Sequence, residues 1–314
     1  MRQEKQRHFF LVGGLILALF LAACQLPTPA PQPSPAPAVL PSTAPSATLP
    51  RPSPTPAQTP TAVIPQASAT PQSGPTACTE KGIINEASLQ SQVLEREIPI
   101  NIYLPPCFES KPQQPYPVLY LLHGFDTDQN QWPVLGLCDA ADALMQDPHN
   151  TAFLVVMPYI AQPNLSALER NQAFFMDELM PFIEANYPVR AERGGRAIGG
   201  ISRGASWALR LGLLPELPFG RIGAHSLPPL AGEVEAWVTQ LAAMPPSERP
   251  LLFIDIGNND KDLEPARDFD LELTKAAIPH IWYMFAGYHD AAYWQEHLPI
   301  YLEFYAQAWP AAFP

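Results

Sequence analysis

The sequence predicts an α/β domain in which a mostly parallel central sheet carries helices on both faces. Short apolar runs alternate with amphipathic helical patterns from residue 78 to the end of the chain. Several of these runs are apolar at every position, as expected for strands that helices cover on both faces. The length of this region, 78–314, suits one such domain better than two.

The strands are expected at apolar runs that stop at glycine, at proline or at an Asn/Asp loop. The stretch 78–107 reads as two strands joined by a turn, the second of them at 100–106. The remaining strands, all rich in aliphatic residues, are expected at 116–124, 151–158, 195–202, 219–226, 250–260 and 280–287.

The helices are expected between these strands, where apolar residues recur at helical spacing. They are predicted at 140–147, 171–188, from 204 onward, 232–244, 266–278 and 291–309. Because a helix separates consecutive strands, the strands should run parallel, and a ligand should bind at their carboxyl ends.

The N-terminal segment 1–23 reads as an export signal, with a basic start followed by an apolar run. Its end, Leu21-Ala22-Ala23-Cys24, resembles the lipobox of bacterial lipoproteins. This resemblance implies that the protein is exported and that a lipid on Cys24 anchors it to the outer face of the cell membrane. The alternative is a transmembrane anchor of marginal length.

Residues 24–77 are expected to form a linker between the anchor and the folded domain. Of the fifty positions 27–76, 16 are proline and only Arg51 is charged. Such a segment has too few apolar side chains to offset the entropy of an ordered chain, and proline biases it toward an extended conformation.

Charge and cysteine content restrict the partners and the cofactors. The formal net charge is −12 and basic clusters are lacking, which argues against nucleic acid and anionic lipid headgroups as partners. No Cys/His spacing suggests a metal site, and we expect neither a metal nor a cofactor. In an exported domain, Cys78 and Cys107 are expected to form a disulfide, leaving Cys138 as a free buried thiol.

A candidate nucleophile lies in Gly200-Ile201-Ser202-Arg203-Gly204, which reads G-x-S-x-G between a predicted strand and a predicted helix. A serine on such a sharp turn has strained backbone angles, and side chains at 200 or 204 would collide with the neighbouring strand and helix. Ser202 would then stand above a helix N-terminus, whose N–H groups favour an oxyanion. The alternative is a plain tight turn.

A serine nucleophile needs a base and an acid, and the chain order Ser…Asp…His is that of α/β-hydrolases. His289 follows the last strand and is the predicted base, with His297, expected on the polar face of the last helix, as the runner-up. Asp260 is the predicted acid and Asp262 the alternative, because Asp255 lies within the preceding strand and below the site.

The remaining site residues are expected in the loops at the same sheet edge. The oxyanion hole should use the backbone N–H groups of Phe125 and Arg203, with His123 structural at the base of the first loop. Aromatic rings near these loops are candidates for stacking on a sugar or an aromatic acyl group; they are Trp132, Trp207 and Tyr288.

The segments YPVLYLLHG, IGGISRGASWAL, GNND and GYHDAAYW together resemble the "Putative esterase" (esterase D type) family of the α/β-hydrolase fold. That family includes feruloyl and acetyl-xylan esterases, S-formylglutathione hydrolase, enterochelin esterase-like proteins and mycolyltransferases. The resemblance covers nearly all of 78–314 and implies a triad of Ser202, Asp260 and His289. The segments that would face the substrate match no known pattern; they are 126–135, 159–172 and 227–249.

Three function classes are compatible with these features. The first is an extracellular serine carboxylesterase that acts on a small-molecule or polysaccharide ester, such as an acylated or feruloylated carbohydrate or an envelope ester. The second is an acyltransferase on the same fold, in which a sugar hydroxyl replaces water. The third is a non-catalytic surface binding module, against which the complete Ser/Asp/His set argues. No motif specifies the acyl group, the alcohol or the oligomeric state.

Overall fold

A computed structural model describes residues 80–110, 115–147, 149–160, 168–216 and 219–309. The described residues form one eight-stranded sheet. The strands are β1 (Ile83–Ser91), β2 (Arg96–Leu104), β3 (Val118–Leu122), β4 (Leu154–Pro158), β5 (Arg196–Ile201), β6 (Arg221–His225), β7 (Leu251–Gly257) and β8 (His280–Phe285).

The strand order is β1-β2-β4-β3-β5-β6-β7-β8, which confirms the mostly parallel sheet. β1 and β2 form the predicted antiparallel hairpin, and β2 also runs antiparallel to β4. All other neighbouring strands are parallel.

Helices connect the parallel strands, as the alternating pattern predicts. They are α1 (Gln131–Val134), α2 (Leu137–Met145), α3 (Leu168–Ala173), α4 (Met180–Asn186), α5 (Arg203–Gly212), α6 (Glu233–Ala243), α7 (Leu263–Lys275) and α8 (Ala291–Ala306). A π-helical segment, Phe174–Leu179, joins α3 to α4. The three segments are continuous, which explains why the sequence predicted a single helix at 171–188. The single-turn helix α1 was not predicted, since four residues are too few to show helical periodicity.

Two apolar cores cover the two faces of the sheet, and the side chains of β3 alternate between them. Val118, Tyr120 and Leu122 belong to the core formed with α4, α5, α6 and α7. Leu119 and Leu121 belong to the core formed with α1, α2 and α8. All five side chains are buried, which confirms that the fully apolar run marks a strand covered on both faces.

The parallel strands end close together, and this positions the site. The register pairs Gly200 of β5 with Leu122 of β3, and Ile201 with His225 of β6. Gly257 of β7 is paired with Phe285 of β8. The loops that follow β3, β5, β6, β7 and β8 therefore open at one edge of the sheet, where ligands of such sheets bind.

The predicted signal, the lipidated Cys24, the linker and Cys78 lie outside the described residues. The pairing of Cys78 with Cys107 therefore stays a prediction, as does the boundary at 78. Cys138 of α2 is a free thiol, as expected, but it is partly rather than fully buried. Among the described helices, none combines the length and the apolar character needed to span a membrane.

Candidate active site

Ser202 occupies the turn between β5 and α5, with φ 54° and ψ −120°. A side chain on Gly200 would lie 2.2 Å from the backbone of Gly204, and one on Gly204 would lie 2.3 Å from the carbonyl oxygen of Leu122. Only hydrogen fits at both positions, so the two glycines allow the strained turn that presents Ser202.

His289 lies in the loop after β8 and bonds to both of its predicted partners. Its Nε2 lies 2.8 Å from Ser202 Oγ, and its Nδ1 lies 2.9 and 2.8 Å from the two carboxylate oxygens of Asp260. A carboxylate accepts but does not donate, so Nδ1 carries the imidazole proton and Nε2 is left to accept a proton from the serine.

Asp260 is held as a carboxylate by its neighbours. Burial alone would raise its pKa, but hydrogen bonds from His289, from the backbone N–H of Asp262 and from the hydroxyl of Ser226 outweigh burial. The pKa of Asp260 therefore lies below its ordinary value.

The two other candidate acids do not bond to the imidazole. The nearer oxygen of Asp262 lies 3.7 Å from His289 Nδ1, beyond hydrogen-bond distance. Asp262 instead donates its backbone N–H to Asp260 Oδ1 at 2.9 Å. Asp255 lies within β7, as predicted, and its side chain is fully buried.

His297, the alternative base, is not on a polar face as the sequence pattern suggested. It is buried, its ring stacks on Phe285 with centroids 4.3 Å apart, and its Nδ1 donates to the backbone carbonyl of Tyr293 at 2.7 Å. The reason is that His297 lies on the side of α8 that packs into the core, one turn after Tyr293, whereas the exposed polar residues of the helix lie on another side, at 295, 296 and 303.

A second His–Asp pair lies beneath the site and is closed to solvent. His225 Nδ1 donates to Asp255 Oδ1 at 2.7 Å, and both side chains are fully buried. The hydroxyls of Tyr293 and Tyr301 donate to Asp255 Oδ2, and that of Tyr305 donates to His225 Nε2. Both carboxylate oxygens and the imidazole Nε2 therefore have hydrogen-bond donors. These bonds link α8 to β6 and β7.

A cavity of about 400 Å³ opens beside Ser202. Its lining consists of Phe125, Ser202, Arg203, Ser206, Arg210, Pro228, Leu230 and Lys261. The two residues whose N–H groups were predicted as oxyanion donors, Phe125 and Arg203, thus border the same space as the serine. The guanidinium group of Arg203 lies 3.9 Å from the centroid of the Phe125 ring.

His123 fixes the base of the first loop, as expected. Its Nδ1 donates to the carbonyl of Gly124 at 2.8 Å, and its Nε2 accepts the N–H of Ile160 at 3.0 Å. Burial lowers the pKa of His123, which keeps the ring neutral for this pair of bonds.

Two of the three aromatic residues proposed for substrate stacking are core residues instead. Trp132 is 0% exposed and Trp207 is 1% exposed. Trp132 donates its indole N–H to the carbonyl of Leu122, and Trp207 belongs to a helix that is buried on nearly every side. Tyr288, 61% exposed and adjacent to His289, remains available to a ligand.

Ser226, which was not predicted from the sequence, is a buried polar residue that acts on Asp260. It follows β6 with φ 51° and is fully buried, and its hydroxyl helps to lower the pKa of Asp260. Trp294 in turn donates its indole N–H to Ser226 Oγ at 2.9 Å and packs edge-on against His289. A single serine after a strand gives no sequence signal for this role.

Replacing Ser226 by alanine should lower kcat for ester hydrolysis about tenfold, because Asp260 stays buried but loses a hydroxyl that helps to keep its pKa low. Ser110→Ala, which removes an exposed hydroxyl remote in sequence from the site, is the control. Steady-state rates between pH 5 and 9, with melting temperatures, separate this effect from general destabilisation. A kcat within twofold of the wild-type value in Ser226→Ala would exclude the supporting role.

Asp260, Asp262 and His289 are also the one group in the described part of the chain whose ligand atoms lie close enough to hold a metal, all within 4.8 Å. The shortest contacts in the group are the hydrogen bonds between His289 Nδ1 and Asp260. A cation there would have to replace that proton, so the arrangement fits a hydrogen-bonded pair better than a metal centre.

The family model described as "Putative esterase" matches residues 91–305, which is most of the chain and includes every residue of this site. The chain belongs to this family. Membership confirms the resemblance inferred from the four sequence segments.

Individual relatives match over shorter stretches. An endo-1,4-beta-xylanase/feruloyl esterase of Xylanibacter ruminicola is 31% identical over 134 residues, which are 39% of this chain and 18% of that protein. Esterase Rv1288 of Mycobacterium tuberculosis is 32% identical over 139 residues, 41% of this chain and 29% of that protein. The chain therefore spans less than a third of the length of either relative.

The structural similarity to known proteins covers more of this chain than these sequence matches do. A solved structure of a ferulic acid esterase superimposes with a TM-score of 0.65 at 24% identity, covering 73% of this chain and 100% of that one. Together with the strand order, this confirms the α/β-hydrolase fold of the esterase-family domain.

Proposed function

We propose that this protein is a serine carboxylic ester hydrolase in which Ser202 is the nucleophile, His289 the general base and Asp260 the acid that orients the imidazole. The observation that carries the proposal is the unbroken hydrogen-bond chain from Ser202 Oγ through both imidazole nitrogens to Asp260. Membership in an esterase family supports the same chemistry.

The reaction follows from this geometry in two halves. Ser202 Oγ attacks the ester carbonyl and passes its proton to His289 Nε2, while the N–H groups of Phe125 and Arg203 stabilise the oxyanion. His289 then returns the proton to the leaving alcohol, and an acyl-serine remains. Water next gives a proton to His289 and attacks the acyl-serine. The bond between the acyl carbon and Ser202 Oγ then breaks, His289 returns its proton to Oγ, and the acid is released.

For the substrate we propose an acylated or feruloylated carbohydrate, or an ester of the cell envelope. Two of the similar proteins are described as a feruloyl esterase and a ferulic acid esterase. The exposed rings of Phe125 and Tyr288 support this proposal, because both lie at the site loops and an aromatic face stacks on a phenyl or sugar ring.

The proposed place of action is the outer face of the cell membrane, through a lipid on Cys24. The apolar run that stops at Leu21-Ala22-Ala23-Cys24 supports this location. Cys24→Ser should abolish incorporation of a labelled fatty acid and release the protein from the membrane fraction. Labelling of the variant at the wild-type level would contradict the lipid anchor.

Hydrolysis of an ester panel by the purified full chain tests the proposed activity. The panel contains 4-nitrophenyl acetate to octanoate, methyl ferulate and acetylated xylan, each with and without glucose or trehalose as an acceptor. We expect release of the free acid, unchanged by the acceptor. Transfer of the acyl group to the sugar would indicate the acyltransferase instead, and no turnover of any ester would favour the binding module.

A further inference from the structure

The cavity beside Ser202 carries positive charge on its wall, although the protein as a whole is acidic. Asp and Glu number 30 in the chain and Lys and Arg 18. Yet the charged side chains that line this cavity, within the described part of the chain, are Arg203, Arg210 and Lys261, with no carboxylate among them. This distribution departs from the rest of the chain at the place where the substrate binds.

Arg210 is fixed in its position by a partner outside the lining. Its Nε donates to Glu233 Oε1 at 2.7 Å, and a second guanidinium nitrogen lies 2.6 Å from the same oxygen. Both side chains are largely buried, so Arg210 holds one orientation and its own charge is mostly balanced by Glu233.

Arg203 and Lys261 each directly follow a member of the proposed triad, Ser202 and Asp260 respectively. The guanidinium of Arg203 lies over the exposed Phe125 ring, and Asp126 acts on it electrostatically. The ammonium group of Lys261 is mostly exposed, and its ion pair with Asp262 is long, at 3.4 Å. A long exposed pair is weak, so Lys261 can interact with a ligand at little cost.

The volume of the cavity and the electrostatic potential at Ser202 restrict the ligand further. A volume of about 400 Å³ lies toward the lower end of the range for ligand pockets, so the cavity suits a compact ester better than a long acyl chain. The N-terminus of the ten-residue helix α5 also points at Ser202 and adds positive potential to that of the side chains.

We infer that the preferred substrate is a compact ester that carries a carboxylate near its scissile bond, held between Arg203 and Lys261. This inference rests on the proposed esterase activity and specifies its substrate class. The cations select the substrate by charge complementarity, while the uncharged rings of Phe125 and Tyr288 contact its apolar part. The carboxylate belongs either to the acyl part or to the alcohol.

Matched pairs of anionic and neutral esters test the inference. Mono(4-nitrophenyl) adipate and its methyl ester place the charge on the acyl part; 4-acetoxybenzoate and its methyl ester place it on the alcohol. At low ionic strength we expect the full-length protein to show at least fivefold higher kcat/KM for the anionic member of one pair, after subtraction of uncatalysed hydrolysis. The preference should decrease in 0.5 M NaCl, because salt screens exposed charges.

Charge-removing variants locate the source of the preference. Lys261→Gln and Arg203→Gln should each lower the anionic-to-neutral ratio of kcat/KM about three- to fivefold, as removal of one partly exposed charge pair implies. Lys81→Gln makes the same change of charge outside the cavity and should leave the ratio unaltered. Because the ratio compares two esters on the same variant, a general loss of activity cancels and only a change in charge selection remains.

The outcomes separate this inference from the proposed activity. A wild-type ratio near one in both pairs, with measurable hydrolysis, would overturn the inference and leave the esterase intact. An equal effect of Lys81→Gln and Lys261→Gln would also overturn it, because the preference would then reflect overall charge. Hydrolysis of none of the four esters, together with a failed ester panel, would contradict the esterase itself.

Discussion

Replacing Ser202 by alanine should lower kcat for ester hydrolysis by a factor on the order of 10⁴ or more and leave the fold intact. Alanine keeps the β-carbon, so the turn and the hydrogen bond from the backbone N–H of residue 202 to the His225 carbonyl can remain. The loss arises because no other group is placed to form the acyl intermediate. His289→Ala should lose nearly as much, since the two side chains act as one unit.

Covalent labelling provides a direct readout of the same prediction. A fluorophosphonate should label the wild-type protein once, at Ser202, and should not label Ser202→Ala. Ser206→Ala is the matched control: Ser206 lines the same cavity one helical turn away, but its hydroxyl donates to the carbonyl of Pro228. This control should still be labelled. Retained labelling of Ser202→Ala, or a rate within tenfold of wild type, would rule out the mechanism.

Asp260→Asn should reduce kcat/KM by roughly 10²- to 10⁴-fold, whereas Asp262→Asn should cost far less. An amide at 260 offers one acceptor oxygen to two donors, namely His289 Nδ1 and the Asp262 N–H. The imidazole then favours the tautomer whose Nε2 carries the proton and cannot accept one from Ser202. The oxygen of Asp262, 3.7 Å from His289 Nδ1, makes no such bond.

The two asparagine variants should be compared in one assay, with circular dichroism to verify folding. An inactive Asp262→Asn beside an active Asp260→Asn would move the acid by two residues and would leave the serine mechanism in place.

The pH dependence of stability gives an independent check on Asp260. Its pKa is lower in the folded protein than its ordinary value of 3.8, so its carboxylate stabilises the fold above about pH 4, and this contribution is lost as the pH falls through the lower folded-state value. Chemical denaturation of Asp260→Asn should therefore depend less on pH below 4 than that of the wild type.

Much of the site could be predicted because its main residues directly follow strands. Continuous apolar runs locate the strands, parallel strands end at one edge, and Ser202, Asp260 and His289 each follow such a run. The structure places the imidazole of His289 within hydrogen-bond distance of both Ser202 and Asp260. Chain order alone did not separate Asp260 from Asp262, since both lie in the same loop.

The errors concern side chains whose surroundings depend on distant segments. Trp207 lies five residues beyond Ser202, but α5 packs against β3, β5 and β6, so a ring there is enclosed. His297 was placed on the polar face of α8, but it lies on the side of that helix that packs into the core. The role of Ser226 depends on contact between the end of β6 and the loop after β7, more than thirty residues apart, and no local pattern encodes such a contact.

The tyrosines of α8 have a consequence for the proposed base. Hydrogen bonds to the buried Asp255–His225 pair hold the beginning, the middle and the end of that helix, through Tyr293, Tyr301 and Tyr305 respectively. His289 is only two residues ahead of α8, and a helix fastened at one end could fray and carry the imidazole away while the core persisted. Because α8 is held along its length, we expect it to unfold as one unit with the core. The imidazole, although it lies on a loop, should therefore share the cooperativity of the domain interior and lose its position only when the domain unfolds.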